Sequence, residues 1–251
     1  MKNGHLPDFN EIWAVVLAAG KGKRMKAREK NKVTYTIKGV PMITRTLNII
    51  KSAGINNIVV VVGFAKKSVL SLLDEKIKTI EQKKRLGTGH ALKVALNTIP
   101  ISAKYILVLN GDDSFLYSGD IINKLIRTHI RNESKFSLIT IEVENQYGLG
   151  RILRDENRKI IGIVEEKDAT ESQRKIKEVN PACYLFSSDF LRKYINKIPK
   201  SNISGEYYLV SLVEMAVKNK QPVSAFTINN LSWRGVNTPE ELFEAERIIV
   251  E

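Results

Sequence analysis

Two short segments of the 251-residue sequence carry residue types suited to gripping phosphate and a metal ion. The first is Gly20-Lys21-Gly22-Lys23-Arg24. Glycine lets backbone amides approach an anion closely, and the interleaved cations supply opposite charge. The loop lacks the third glycine of the dinucleotide fingerprint and the spacing of a Walker A loop. Its surroundings are strongly cationic: Lys21 to Lys38 contain eight basic residues against one acid, Glu29. The second segment is Asn110-Gly111-Asp112-Asp113. A carboxylate there suits Mg²⁺, a hard cation that takes one or two protein oxygens together with phosphate oxygens and water. Each segment alone also reads as a plain turn, with solvated lysines in one case and a helix cap in the other. Together they are complementary parts of a site for a metal-bound nucleotide.

The elements that position these segments follow from apolar patterning. Ile12 to Leu17 is a continuous apolar run of the kind buried in parallel sheets, and it leads straight into the glycine loop. Asn57 to Val62 and Tyr105 to Asn110 are two more such strands, the last ending at Gly111-Asp112. Between them the spacing predicts helices from Pro41 to Ala53, stopped by Gly54, from Lys66 to Glu75, and from the segment GTGHALKVAL, with a short strand at Thr79 to Gln82. Strands alternating with helices predict βαβ units, a mainly parallel sheet and a ligand crevice at the carboxyl ends of the strands. After about residue 116 the pattern changes. Phe136 to Val143, Arg151 to Arg154, Lys159 to Glu165 and Glu178 to Phe186 read as strands with few helices between them, an antiparallel or mixed extension of the sheet. Helices are expected again at Asp189 to Asn196 and Glu206 to Asn219, then a strand at Pro222 to Ile228. A last helix is announced by the capping box Thr238-Pro239-Glu240-Glu241 and carries Leu242, Ala245, Ile248 and Ile249.

Composition narrows the class. With 43% hydrophobic residues and one cysteine, the chain buries a sizeable core without disulfides, and no apolar run reaches the length of a membrane span. The expectation is a soluble intracellular protein with a single domain, whose pattern divides into halves covering about 12–115 and about 116–251. The net charge of +13 points to polyanionic partners, and over half of it lies near the glycine loop. A nucleic-acid binder would share that charge, yet the basic stretch offers only Tyr35 as a stacking aromatic, so no specific nucleic acid is expected. His5 and His129 are too isolated to suggest a metal site. Cys183, inside ACYLF, reads as core.

Taken in order, LAAGKGKRM (17–25), Lys32, QKKRLGTGHA (82–91), Gly111-Asp112, GLGRI (148–152), GIVEEKDAT (162–170), EVN (178–180), GEYY (205–208) and GVN (235–237) resemble the uridyltransferase half of the bacterial bifunctional N-acetylglucosamine-1-phosphate uridyltransferases. The resemblance covers about residues 12 to 250. It implies a Rossmann-like α/β nucleotidyltransferase fold of the glycosyltransferase-A type with a mixed, mainly parallel central sheet. It implies UTP and a sugar-1-phosphate as substrates, Mg²⁺ as cofactor, no membrane partner, and a monomer or small homo-oligomer. The family's acetyltransferase β-helix of hexapeptide repeats has no counterpart in these residues, so neither acetyl transfer nor a trimer held by such a helix is expected.

Residue by residue, the resemblance assigns Arg24 and Lys32 to the phosphates, with Asp112 as the third catalytic group. Leu17, Ala18, Ala19, Gly20, Gly22 and Lys23 fall in the nucleotide loop. Gln82 matches the residue that hydrogen-bonds uracil, and Gly87 and Thr88 the backbone on the other side of the base. Asp112 and Asn237 match the metal ligands. Asn110, Gly150, Glu165 and Asn180 fall on the sugar side, and Glu206, Tyr207 and Tyr208 are expected to be part core and part pocket wall. Several positions depart from the family pattern: Lys23 for threonine, Asn31 for the proline before Lys32, Asn110 for tyrosine, Leu149 for an aromatic, and Pro181-Ala182 for threonine-glycine. The change at Asn31 is expected to leave Lys32 less firmly placed. The last three put the acceptor sugar in question and keep open a relative of the same fold with another sugar or nucleotide, such as glucose-1-phosphate.

Overall fold

A computed structural model describes residues 7–25, 29–112, 117–228 and 235–248. Lys26, Arg28, Asp113, His5 and Ile249, and the side chains of Lys23 and Ile248, lie outside the described residues. The element order is β1 (Ile12–Ala18), β2 (Thr36–Ile37), β3 (Val40–Pro41), α1 (Met42–Ser52), β4 (Ile58–Val62), α2 (Lys66–Leu70), β5 (Lys78–Glu81), α3 (Thr88–Ala95) and β6 (Tyr105–Asn110) in the first half. It continues with α4 (Gly119–Arg131), β7 (Phe136–Glu142), β8 (Gly150–Arg154), β9 (Ile160–Val164), α5 (Glu171–Arg174), β10 (Glu178–Asn180), β11 (Cys183–Ser187), α6 (Ser188–Tyr194), α7 (Ser211–Lys218), β12 (Val223–Ile228) and α8 (Pro239–Ile248).

All strands but β2 and β3 join one mixed sheet. Its first part runs β5-β4-β1-β6 with every pairing parallel. β11 then enters antiparallel to β6, and β7 antiparallel to β11. β7 is shared: its start pairs with β11, its end with β10, and β12 runs parallel along it. From β10 the sheet continues antiparallel through β8 to β9.

Both faces of the sheet are covered, as its apolar strands require. Trp13 and Val15 of β1 join Val59, Val61, Leu92, Phe190 and Leu212 in one core layer. The alternate residues Ile12, Ala14 and Val16 join Val60, Ile43, Leu47 and Leu125 in the other. A period of two thus sends α3, α6 and α7 to one face and α1 and α4 to the opposite one. A third, smaller cluster of Met25, Ile37, Met42, Val236 and Ala245 docks α8 beside the glycine loop.

Several elements differ from the expectation. The helix expected from Glu206 begins only at Ser211, because residues 206–210 are held in extended and turn backbone against the Gly87 segment. The helix expected to run to Glu75 stops at Leu70, and residues 71–77 continue as turns, with Ile77 N–H on Asp74 O. α4 stands where no helix was read, although Ser118 caps it and Ile122, Leu125, Ile126 and His129 form its buried stripe. Glu178 to Phe186 is two strands, because the chain breaks at Pro181-Ala182, where Ala182 has a φ of 56°, and changes neighbours from β7 and β8 to β6 and β7. No helix among the described residues is long and apolar enough to cross a membrane.

Candidate active site

The parallel strands deliver the two phosphate-suited segments to the same sheet end. Leu17 of β1 lies beside Asn110 of β6, and the Gly111 N–H donates to Leu17 O at 3.0 Å, so the glycine loop and the Gly111-Asp112 turn start side by side. On the other flank, the Phe64 N–H donates to Ala19 O at 3.1 Å. A β-carbon at Gly63 would fall 2.7 Å from that same oxygen, so only glycine allows this approach.

Asn31 gathers the loop from below. Its buried Nδ2 lies 3.0 Å from Ala18 O, 2.8 Å from Phe64 O and 3.3 Å from Gly20 O, while Oδ1 accepts from Val33 N–H at 3.1 Å and caps the helical turn Lys32–Thr34. Its own N–H donates to Ser68 Oγ at 2.9 Å. The expectation of a loosely held Lys32 is therefore corrected: where a proline would only restrict φ, Asn31 ties three segments together with hydrogen bonds in a buried place.

Lys32 is the centre of the arrangement. Its mostly buried ammonium pairs with Asp112 Oδ2 and donates to Asn237 Oδ1 at 2.9 Å. Gly22, with a φ of 59°, folds over the lysine stem; a β-carbon there would lie 2.9 Å from Lys32 Cβ. Asn237 comes from the far end of the sequence and is itself fixed. The Glu241 carboxylate accepts from the N–H groups of Asn237 at 2.5 Å and Thr238 at 3.1 Å, and the Thr238 hydroxyl accepts from Glu241 N–H, which completes the capping box of α8. Fully buried Val236 next to it contributes roughly 1.5–3 kcal/mol to seating this segment. The oxygens of Asp112 and Asn237 converge on the Lys32 ammonium, and a carboxylate with an amide oxygen is a donor set that also fits Mg²⁺.

Where the resemblance expects the base, Gln82 extends from β5, its N–H on Val62 O, with its side chain buried. Gly87, at a φ of 104°, packs so tightly on Tyr207 that a β-carbon would lie 2.6 Å from Tyr207 O. Tyr207 N–H donates to Leu86 O and Gly89 N–H to Tyr207 O, each at 2.8 Å, and the Thr88 hydroxyl accepts from Leu209 N–H at 3.0 Å. The GEYY segment thus braces the base loop through its backbone, while Tyr208 lines a cavity of about 190 Å³ together with Glu165, Asp168 and Glu214.

Arg24, exposed, reaches across to the residues expected to meet the sugar: a β-carbon at Gly148 would come 3.0 Å from its Nη1. There Gly150 of β8 pairs with Asn180 of β10. Asn180 Nδ2 donates to Tyr184 Oη at 2.6 Å and its Oδ1 accepts from Ala182 N–H at 3.1 Å, which engages part of its bonding capacity. Burial, helped by the carboxylates of Asp168 and Glu206 and opposed by Arg151 and Arg24, pushes Glu165 up to about 7. Sequence reasoning missed both Arg151 and Glu166. Arg151, fully buried, pairs with Glu166 Oε2 at 2.7 Å and donates to Leu149 O, and the same carboxylate accepts from Gly148 N–H at 3.0 Å. No local pattern signals this pair, since its members are 15 residues apart on different elements.

Cys183 sits in the core as expected, and His129 is buried there as well. His129 bonds Ser137 and Ser187, and burial lowers its pKa to about 4.

The parallel part of the sheet, with a cationic glycine loop and a carboxylate at its carboxyl end, has the arrangement of a nucleotide-handling enzyme. Residues 13–251 match the nucleotidyl transferase family, and the chain belongs to it. Among curated relatives, the bifunctional protein GlmU of Thermoanaerobacter pseudethanolicus is 37% identical over 235 residues, 94% of this chain and 51% of that protein. The bifunctional proteins GlmU of Caldicellulosiruptor saccharolyticus and Fervidobacterium nodosum are each 39% identical, over 93% of this chain and 50% of theirs. The chain spans about half the length of the curated relatives it matches.

Proposed function

We propose that the chain is a sugar-1-phosphate uridylyltransferase that joins UTP to N-acetylglucosamine-1-phosphate and releases pyrophosphate. The observation that carries the reading is the Lys32 ammonium held between Asp112 and Asn237, beside the glycine loop at the strand ends. The motif order of the similar uridyltransferases supports the choice of nucleotide and sugar.

In this reading an oxygen of the sugar phosphate forms a bond to the α-phosphorus of UTP in line, while the bond to the bridging β-phosphate oxygen breaks and its electron pair leaves with pyrophosphate. The attacking phosphate is already ionised, so no side chain has to take a proton. The chain's work is positioning and charge screening. Gly20, Gly22 and Lys23 line the phosphate loop, with the backbone of Leu17, Ala18 and Ala19 leading into it. Arg24 offers a fork of donors between the phosphates and the Gly148 loop, and Lys32 a mobile ammonium. Mg²⁺, held by Asp112 and Asn237, would neutralise phosphate charge when bound. Gln82, Gly87 and Thr88 face the base, and Asn110, Gly150, Glu165 and Asn180 face the sugar, giving a nucleotide half and a sugar half within one domain.

A second reading keeps the mechanism and changes the acceptor to glucose-1-phosphate. It is favoured by Asn180, whose two polar atoms already bond Tyr184 and Ala182. Pyrophosphate release with UTP, CTP, TTP, ATP and GTP against both sugar phosphates decides. Release with UTP and the N-acetylated sugar is expected. Release with UTP and glucose-1-phosphate alone transfers the assignment to the second reading, and no release with any pair overturns both.

A further inference from the structure

The hydrogen bonds around Gln82 fix which way its carboxamide faces, and with it what the base must present. Gln82 Nε2 lies 3.1 Å from Gly87 O and 3.0 Å from His90 Nδ1. A carbonyl oxygen only accepts, so the amide atom against Gly87 O has to be the NH₂ group. Its second proton then points to His90 Nδ1, which must accept it. An accepting Nδ1 requires a neutral imidazole with its proton on Nε2. Burial, with the cations of Lys93 and Lys84 nearby, lowers the proton affinity of His90 and agrees with that form. Both NH₂ protons are thereby committed inside the protein. The carboxamide oxygen, Oε1, remains to meet a ligand, and it can only accept.

We propose that His90 is a positioning residue for base selection, locking Gln82 as an acceptor so that the site admits a base with an N–H at the facing ring position. The inference rests on the uridylyl reading of this site and deepens it. The imide edge of uracil has an N3–H donor, whereas cytosine presents a lone pair at N3, which would face the lone pairs of Oε1. Thymine shares the imide edge and passes the same filter. Without His90, the NH₂ group keeps one anchor, at Gly87 O, and the carboxamide gains freedom to turn and offer a donor. Selection of this kind comes from leaving the wrong base's polar atom unpaired, which discriminates strongly where the site is buried.

The test compares wild type with His90→Ala and with His90→Asn, whose amide oxygen can stand where Nδ1 accepts. For His90→Ala, the KM for UTP is expected to rise about tenfold with kcat within threefold, and the UTP over CTP ratio of kcat/KM to fall at least tenfold. His90→Asn is expected to hold that ratio within about threefold. A folded His90→Ala protein with an unchanged ratio overturns the proposal. The imidazole is read separately by nitrogen NMR of the wild-type protein: a bare Nδ1 and a protonated Nε2 are expected, and a protonated Nδ1 overturns the proposal even if no substrate pair turns over. Absence of turnover in wild type with the expected tautomer would instead count against the uridylyl reading, and equilibrium binding of UTP against CTP to wild type and His90→Ala then decides on His90.

Discussion

On the proposed phosphate side of the site the backbone of Ala18, Gly20 and Phe64 is gathered by one neutral side chain, Asn31, whereas on the proposed sugar side Gly148 and Leu149 are held by the charges of buried Arg151 and half-buried Glu166. The phosphate side stands on parallel strands whose ends coincide, so short hydrogen bonds between neighbouring loops suffice. The sugar side stands on antiparallel strands that enter from both directions, and its loops meet through long side chains. A neutral clasp leaves the site's cationic potential untouched. A charged clasp is self-neutralising but depends on both partners, since a buried ion left alone is costly.

The comparison can be broken first at its catalytic end. Lys32→Met and Asp112→Asn are each expected to slow pyrophosphate release by about 10²–10³-fold at saturating substrates, because a unit charge about 4 Å away at an effective dielectric near 20 is worth roughly 4 kcal/mol. If either variant turned over like wild type at limiting Mg²⁺, the charge-screening account would fail. On the sugar side, Arg151→Met is expected to cost about 3–5 kcal/mol in urea unfolding and Arg151→Met with Glu166→Gln distinctly less, the signature of a stranded charge. Equal losses in both would mean that packing, not charge, holds the loop.

Glu165 sharpens the contrast through pH. Its folded-state pKa of about 7 lies above the ordinary 4.5, so the folded state holds a proton that the unfolded state has already lost between those values. Stability is then expected to fall as pH rises from 4.5 to 7, by up to about 3 kcal/mol, and to stay low above that. In Glu165→Gln this fall should be absent, checked by unfolding midpoints at pH 5 and pH 8. The smallest effect belongs to Ala182, whose φ of 56° lies in the left-handed region. Ala182→Gly relieves that strain but adds freedom to the unfolded chain, and a net gain of about 0.5 kcal/mol is expected in the same assay.

The same contrast explains what the sequence disclosed. β1, β4 and β6 announce themselves as unbroken apolar runs, and because parallel strands deliver their ends together, Gly20 and Asp112 could be assigned to one place, while Lys32 was assigned there only by the family resemblance. Thr238 and Glu241 spell out the cap that fixes Asn237. The sugar half resisted for physical reasons. α4 has charged and polar residues between its buried positions, which hides its stripe. The break at Pro181-Ala182 lies inside an otherwise continuous strand pattern, and only the change of neighbouring strands reveals it. Arg151 looks like any surface arginine until Glu166 and the Leu149 carbonyl are seen around it. Asn31 was noticed only as a missing proline, since its three carbonyl partners are close in space and far apart in sequence.

The bond from Lys32 to Asn237 joins residues 205 positions apart. During synthesis, at about 5–20 residues per second, the glycine loop therefore waits on the order of ten seconds or more for the partner that completes its cation seat. The first half can collapse around β1, β4 and β6 long before then, but the seat closes only when Val236 and α8 dock against Met25 and Ile37. The completed seat around Lys32 is thus a late mark of folding, and a chain stalled before residue 237 holds Lys32 and Asp112 without their third partner.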